Sequence, residues 1–344
     1  MRKRWVIGGL CLAVLLGVGY TGYWFWLAQT FQQNLALWVD QQRAMGYRLA
    51  YAADGPHGFP LAVAIGLDDV VIESPPGQAP WRLITASKLL SLSPWAPLSL
   101  RISDGGERVP CNVRWTADGR DYDIVVDGID TTLHLSTQGD LPAIRIAGDS
   151  VDVREDGKTI AGVTQASGSV DFLPAMSHTE SSVEFRLAAR GIDFQASRAV
   201  DTRTEQTHDW LLAGQVKGPV PLGPLPTALA TWSNDGGRIE LTEFNADWEA
   251  ATELSGDGTV ALDERLQPVG SFSAVVRGYN EAVDAAVARG FMTPAQGAAA
   301  KFWLNARAEK DDRGLKVKLP LTIQDGFLSM GPLKLARLPI MAWQ

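Results

Sequence analysis

The sequence predicts a mainly β protein with an N-terminal transmembrane helix, antiparallel curved sheets and a helical hairpin near the C-terminus. An uncharged run occupies residues 5–28, short segments of alternating apolar residues follow, and Asp-Gly pairs separate many of them. A helix needs about 20 apolar residues to cross a bilayer. Alternation with period two is typical of strands that bury one face. Together these features favour an anchored β protein over alternating strands and helices.

The predicted anchor has a strong charge bias. Three basic residues occupy positions 2–4, and the first charged residue after the run is Asp40. Because Lys and Arg favour the cytoplasmic side, residues 1–28 are expected to form a cytoplasmic tip and a single span of the inner (plasma) membrane. The rest would then be periplasmic. A cleaved signal peptide fits less well, since its apolar core is shorter and Trp26 is too large for a small-x-small cleavage site ending at Ala28.

A stripe of small residues recurs every four positions along the anchor: Gly9, Ala13, Gly17 and Thr21. Such a stripe places small side chains on one helix face and lets another membrane helix approach closely. It therefore predicts packing against another membrane protein. Small residues are common in membrane helices, so the stripe is equally compatible with a helix that is only an anchor.

After the anchor, residues 29–50 are expected to continue as a helical extension and residues 51–344 to form a β-rich outer domain. Phe31, Leu35 and Trp38 have helical spacing, and Gly46 is a stop signal. The proline-rich segment 219–226 predicts a seam between two halves of the outer domain.

The clearest strands alternate large apolar residues with small or polar ones, which points each apolar set to one face. These candidate lipid-binding residues are Phe59, Leu61, Val63, Ile65 and Leu67, and Leu315, Val317, Leu319, Leu321 and Ile323. Asp-Gly occurs eight times. It suits two-residue hairpins, where both central residues need positive φ. Asp127-Gly128 is expected to be a bulge instead, in one of three strand-kink-strand segments at 124–129, 146–151 and 187–192.

A helical hairpin is predicted over residues 279–309. Its first helix carries an apolar face at Tyr279, Val283, Ala286 and Val287. Thr293-Pro-Ala-Gln296 has the pattern of a capping box with proline at the first helical position. The second helix is expected to be lined by Ala295, Ala298, Ala299, Phe302 and Ala306.

Composition and motifs exclude several functions. Without the basic residues at 2–4 the formal charge of −8 becomes −11, which gives no electrostatic reason to bind nucleic acid. Cys111 is the one cysteine outside the anchor, so no disulfide can form within the outer domain, and we expect a buried, inert thiol.

The strings G-x-S-x-G, H-E-x-x-H, C-x-x-C and Walker A do not occur in the sequence, and the G-x-G-x-x-G string at 17–22 lies inside the anchor instead of between a strand and a helix. We therefore expect no catalytic residue, metal or cofactor. His208 and Asp209 would point to opposite faces of a strand rather than form an acid-base pair. The acidic cluster Asp118, Asp121 and Asp123 lacks the glycine and distal glutamate of a calcium loop.

Several segments resemble a bacterial family catalogued as domain of unknown function 2125, whose members also begin with a membrane anchor. They are residues 58–60, residues 80–83 and the C-terminal stretch 276–333, which includes the predicted helical hairpin. The resemblance implies no catalytic residues. More loosely, the anchor, the strand-kink repeats and the closing Gln-Asp-Gly-x-Leu-x-x-Gly-Pro strand are similar to AsmA-like envelope proteins. That similarity implies a long curved sheet whose apolar concave face handles lipid.

A sheet with one apolar face must cover it with another sheet, with helices or with a ligand. Few helices are predicted, so the first hypothesis is a non-enzymatic envelope protein whose apolar face binds or shields lipid acyl chains. The alternative is an envelope scaffold or protein-interaction module with a closed β-sandwich and no lipid ligand. The expected partners are membrane lipid and a second membrane protein at the anchor, with no nucleic acid.

Overall fold

The protein is described by a computed structural model that covers residues 2–76, 80–106, 108–117, 120–137, 142–194, 208–221, 223, 225–248, 252–288, 292–330, 333–338, 340, 341 and 343. Over these residues it is mainly β, with antiparallel pairing and four helices: α1 (Arg2–Ala44), α2 (Leu225–Asn234), α3 (Tyr279–Ala288) and α4 (Pro294–Arg307). Two compact units divide the chain at residues 159 and 160. The predicted seam at 219–226 lies inside the second unit.

Helix α1 continues past the predicted anchor to Ala44, and Gly46 follows its end with a φ of +96°. Residues 48–50 of the predicted extension belong to a strand instead. Its side chains are described from Leu12 onward, so residues 5–11 of the predicted anchor, Gly9 among them, lie outside the described side chains. Within the part of the chain that the structure describes, no helix is long and apolar enough to cross a membrane.

In the part of the first unit that the structure describes there are nine antiparallel strands: β1 (Arg48–Ala53), β2 (Val63–Glu73), β3 (Trp81–Ser93), β4 (Ala96–Ser103), β5 (Cys111–Ala117), β6 (Arg120–Asp127), β7 (Asp130–His134), β8 (Ala143–Gly148) and β9 (Ser150–Glu155). Strand β3 divides the sheet, because its first residues pair with β5 and its last residues pair with β4. One branch continues through β6 to β9, and the other continues through β7 to β8.

Two facing kinks let the strands change partners. Gly128, with a φ of +64°, separates β6 from β7, and Asp149 separates β8 from β9. The backbone N–H of Asp149 donates to the carbonyl of Asp127 at 2.9 Å, so the two kinks lie against each other. A side chain at Gly128 would collide with Asp149. These contacts confirm the kinks predicted in segments 124–129 and 146–151, whereas segment 187–192 lies within the single strand 181–194.

The predicted strand at 59–67 begins only at Val63, and this part of the expectation was wrong. Phe59 and Leu61 lie in a turn, in which the N–H of Leu61 donates to the carbonyl of Gly58 at 3.1 Å. Between them lies Pro60, which has no N–H to give to a strand ladder. The apolar alternation therefore begins in a turn, and only its second half, from Val63 onward, is strand.

Within the described residues the second unit contains eleven antiparallel strands: β10 (Lys158–Val163), β11 (Gln165–Phe172), β12 (Ser181–Phe194), β13 (His208–Lys217), β14 (Arg238–Trp248), β15 (Thr252–Leu262), β16 (Pro268–Arg277), β17 (Glu309–Asp311), β18 (Gly314–Gln324), β19 (Phe327–Met330) and β20 (Leu333–Arg337). Strands β11 to β16 pair in chain order, and β18 then adds to β16. Asp325 and Gly326, both with positive φ, form the predicted hairpin turn between β18 and β19.

The predicted helical hairpin is confirmed as α3 and α4. Thr293 caps α4: its Oγ1 accepts from the N–H of Gln296 at 3.3 Å, and the Gln296 side chain accepts from the N–H of Thr293 at 2.8 Å. The predicted apolar lining of α4 was wrong, because Phe302 is 80% exposed while Gly297 and Leu304 are buried.

Close contact between α3 and α4 explains why α4 buries a different face from the one predicted. A Cβ built on Gly297 would lie 2.5 Å from Cγ2 of Val287. Only glycine allows the two helices to come this close. In this arrangement Leu304 packs with Tyr279, Val283 and Val317.

Candidate functional site

A continuous apolar face lies on one side of the second unit. Residues paired across neighbouring strands project to the same side of a sheet. The pairings of β11 to β16 and β18 therefore place four rows of residues on this side, which we call the apolar face. The rows are Ala166, Ala189, Trp210, Ala246, Leu254, Val276 and Val317; Gly168, Leu187, Leu212, Phe244, Gly256, Ala274 and Leu319; Val170, Phe185, Gly214, Leu241, Gly258, Phe272 and Leu321; and Phe172, Val183, Val216, Ile239, Val260, Gly270 and Ile323.

Every residue in these rows is Gly, Ala, Val, Leu, Ile, Phe or Trp. The other side of the same strands carries charged residues such as Arg186, Glu240 and Lys318. One-sided patterning of this kind is typical of a sheet that faces water on one side and an apolar environment on the other.

Helices α3 and α4 cover only one edge of the apolar face. Val317 is fully buried there by Val283 and Leu304. Elsewhere the face is open: Phe172, Leu187 and Trp210 are exposed, and the following residues are partly exposed: Phe185, Leu212, Phe244, Phe272, Leu321 and Ile323.

Three phenylalanine rings lie along the apolar face above glycines. Cβ atoms built on Gly214, Gly256 and Gly258 would lie 2.9, 2.7 and 2.3 Å from ring atoms of Phe185, Phe244 and Phe272, respectively. Each ring therefore fills the space that a cross-strand side chain would otherwise take. The result is an uncharged, apolar surface that could contact a hydrocarbon chain.

The charged side of the sheet carries a polar groove of about 500 Å³, lined by Ser167, Ser169, Arg186, Arg190, Asp209, Asn245 and Asp247 among others. Burial raises the pKa of Asp247, and the neighbouring carboxylates of Glu253 and Asp209 raise it further. The buried Oδ1 of Asn245 has no hydrogen-bond partner among the described residues.

His208 and Asp209 contact different backbone groups in this arrangement. His208 is buried, and its Nδ1 lies 3.1 Å from the carbonyl oxygen of Asp247. The carboxylate of Asp209 accepts from the N–H of Gly191 at 2.9 Å. The two side chains therefore have separate partners, as expected for neighbours on a strand.

An ion-pair network joins β15, β16, β17 and β18 close to the start of α3. Arg277 donates to both carboxylate oxygens of Asp311, at 2.9 and 2.5 Å, and Lys316 lies 2.9 Å from the same carboxylate. Hydrogen bonds from Arg277 and then Lys316 hold the pKa of Asp311 well below its usual range. Its partners keep this carboxylate ionised, so it holds the strands together and is a poor proton acceptor.

The sequence model of the family described as "Uncharacterized protein conserved in bacteria (DUF2125)" matches residues 24–339. The chain belongs to this family. No curated protein and no solved structure matches this DUF2125 chain. The matched span begins at Trp24 inside α1 and includes both β units, so the apolar face lies entirely within the family region.

The ten candidate lipid-binding residues of this DUF2125 protein are divided between the two units. Val63 and Ile65 are fully buried in the first unit, where Val63 packs under Trp24 and Leu27 of α1. Leu67 is partly exposed, and Phe59 and Leu61 are exposed in their turn. In the second unit Leu315 is exposed at the start of β18, and the other four members join the apolar face: Val317, Leu319, Leu321 and Ile323.

Sequence analysis missed the larger part of the apolar face, including Leu187, Leu212 and Phe244. The alternation in residues 183–187 carried the same signal as that in 315–323, but the sequence alone did not show which strands would pair. In β14 a bulge between Leu241 and Phe244 also shifts the alternation by one residue. That shift hides the apolar side of β14 from a period-two search.

The remaining candidates behave as follows. Ala13 and Gly17 are exposed on α1, and the Thr21 hydroxyl donates to the carbonyl of Gly17 at 2.8 Å, so packing by this stripe stays a prediction. Cys111 is buried as expected, and burial raises the pKa of its thiol.

In the acidic cluster, Asp123 pairs with Arg114, Asp121 accepts from Thr116, and Asp118 lies outside the described residues. Within the described ranges no group of three or more His, Cys, Asp or Glu side chains could hold a metal ion.

Proposed function

We propose that this DUF2125 protein is a membrane-anchored, non-enzymatic envelope protein whose apolar face binds or shields lipid acyl chains. The observation that carries the proposal is the combination of complete apolarity across seven strands with exposure of residues such as Leu187 and Trp210. Contiguous apolar patches larger than a few hundred Å² are rare on soluble monomers. Covering such a surface is favourable by about 25 cal/mol per Å².

A hydrocarbon chain suits this surface better than a compact polar ligand. The four rows offer no charged or hydrogen-bonding side chain except the Trp210 indole, so they give a polar ligand almost nothing to recognise. The rings of Phe185, Phe244 and Phe272 add aromatic surface to the rows, and Phe244 meets Phe272 edge-on at 6.3 Å. The looser similarity to AsmA-like envelope proteins supports the same chemistry.

The proposed location is the inner membrane, with one span in α1, the N-terminus in the cytoplasm and both β units in the periplasm. The uncharged run at 5–28 and the basic residues at 2–4 support it. Leu12, Leu15 and Leu16 are exposed on the described part of α1, which is favourable only in an apolar surrounding.

Consecutive leucines on opposite sides of β13 allow a direct test of the function. Leu212 lies in the apolar face, whereas Leu211 lines the polar groove. A photo-reactive benzoylphenylalanine is placed at each position in the full chain, the cells are irradiated, and the adducts are identified by mass spectrometry. We expect lipid adducts at position 212 and several-fold fewer at position 211.

Leu187 and Arg186 form a second matched pair on β12. If positions 187 and 212 capture protein and no lipid, the scaffold alternative replaces the proposal. Equal lipid capture on both sides of the sheet would also contradict it, because random contact with membrane lipid would explain that result.

The topology gives a separate prediction. A reporter that is active only outside the cytoplasm, fused after Gln344, is expected to be active. Changing Arg2, Lys3 and Arg4 to Glu removes the positive-inside signal and is expected to lower that activity. An inactive reporter on the unmodified chain, together with an active cytoplasmic reporter at the same site, would refute the periplasmic location.

A further inference from the structure

One end of the first unit presents exposed apolar side chains beside α1. Leu61 and Trp95 are 69% and 68% exposed at the tips of two turns, and Phe59 is also exposed. Together with residues 20–26 of α1 they form what we call the apolar end.

Direct contacts hold the apolar end together. The ring of Tyr20 stacks on that of Trp95 at 5.4 Å, and the ring of Phe59 meets that of Trp24 edge-on at 5.5 Å. The Tyr23 hydroxyl donates to the carbonyl of Pro94 at 2.9 Å. Position and orientation of both turns are therefore fixed relative to the helix.

No charge occurs in the three segments that meet here. Residues 5–39, 55–67 and 89–100 contain no Asp, Glu, Lys or Arg. The chain beyond the N-terminal basic residues has a formal charge of −11, yet none of its charged residues lies in these three segments. Aromatic residues without nearby charge are typical of the boundary between lipid headgroups and acyl chains.

Helix length brings the apolar end to the bilayer. Residues 12–19 of α1 are exposed, and contact with the sheet begins at Tyr20. Residues 5–19 span about 22 Å at 1.5 Å per residue, which is less than the hydrocarbon core of about 30 Å. A span that starts near Trp5 must therefore continue past Tyr20, to the level of both turns.

We infer that, if α1 is the proposed anchor, the apolar end docks on the periplasmic leaflet and inserts Phe59, Leu61 and Trp95 into the headgroup-acyl boundary. The first unit then stands on the membrane in a defined orientation. The opposite end of the first unit lies at the end of α1, and the helix from Tyr20 to Ala44 is about 36 Å long at 1.5 Å per residue. There Gly46 lies beside Pro75.

The test measures depth at the two ends of the first unit. The full chain with Cys11→Ala receives a single environment-sensitive fluorophore at Leu61→Cys or at the control Pro76→Cys. Cys111 is buried, so the native protein is expected to be labelled at the introduced cysteine. Each protein is reconstituted into vesicles of phosphatidylethanolamine and phosphatidylglycerol that contain lipids spin-labelled near the headgroup. We expect blue-shifted emission and several-fold greater quenching at position 61 than at position 76.

Flotation of the same vesicles separates this inference from the proposed anchor. If the protein floats with the vesicles but position 61 is as weakly quenched as position 76, the docking inference is overturned and the anchor remains. If the protein does not float, the proposed anchor fails and the inference fails with it.

Discussion

Replacing Trp24 by alanine is expected to lower the free energy of unfolding by about 3–5 kcal/mol, the usual effect of removing a large buried aromatic side chain. Trp24 is only 4% exposed and packs with Leu27 and Val63 where α1 covers β2. Its indole N–H also donates to the carbonyl of Ala62 at 2.8 Å. Truncation would leave both a cavity and an unpaired carbonyl. Chemical denaturation of the detergent-solubilised full chain, followed by the β signal in circular dichroism, measures the effect.

Trp26 provides the control on the same helix. It is 60% exposed, so Trp26→Ala is expected to change the free energy of unfolding by no more than about 0.5 kcal/mol. Equal losses in the two variants would mean that α1 does not pack on β2 through Trp24. That result would also remove the contacts on which the docking of the apolar end depends.

Features set by neighbouring residues were predictable from the sequence. The turn at Asp325-Gly326 needs positive φ at both positions, and that pair of residues tolerates it. The α4 cap is likewise local, since Thr293 and Gln296 bond to each other's backbone. Family membership was also predicted correctly, and all of the segments that suggested it lie within the matched residues 24–339.

Features set by tertiary contact were not predictable in the same way. The buried side of α4 depends on the approach of Gly297 to Val287, which nothing in the local pattern specifies. Phe302 has the right spacing for a core residue and is nevertheless exposed. An Ala-rich helix offers several apolar stripes of similar width, so the neighbouring helix decides which one is buried.

The candidate site shows the same limit. Val63 and Leu321 lie in equally regular alternating segments, yet α1 buries the first and the second stays partly exposed. Alternation with period two indicates that a strand has one apolar side, but it does not indicate what covers that side. The open face became visible only when strand pairing aligned Leu187, Leu212 and Phe244 in one row.

A buried ion pair in the first unit gives the second large expected effect. Lys88 and Asp104 have side chains only 8% and 10% exposed, and their ammonium and carboxylate groups are hydrogen-bonded to each other. Lys88 also donates to the carbonyl of Val109 at 2.9 Å. Lys88→Met would leave the carboxylate of Asp104 buried without its counter-charge, so we expect a loss of about 3–5 kcal/mol in the free energy of unfolding.

The double variant Lys88→Met/Asp104→Leu separates loss of packing from the unpaired charge. Lys88 lies on β3 opposite Leu67, where an apolar side chain has apolar neighbours. Replacing both partners removes the unpaired carboxylate, so the double variant is expected to be clearly more stable than the single one. If the double variant is no more stable, charge burial does not explain the loss.

Thiol labelling of Cys111 reports the same opening locally: because this thiol is buried next to the pair, its labelling should be fastest in Lys88→Met and slower again in the double variant.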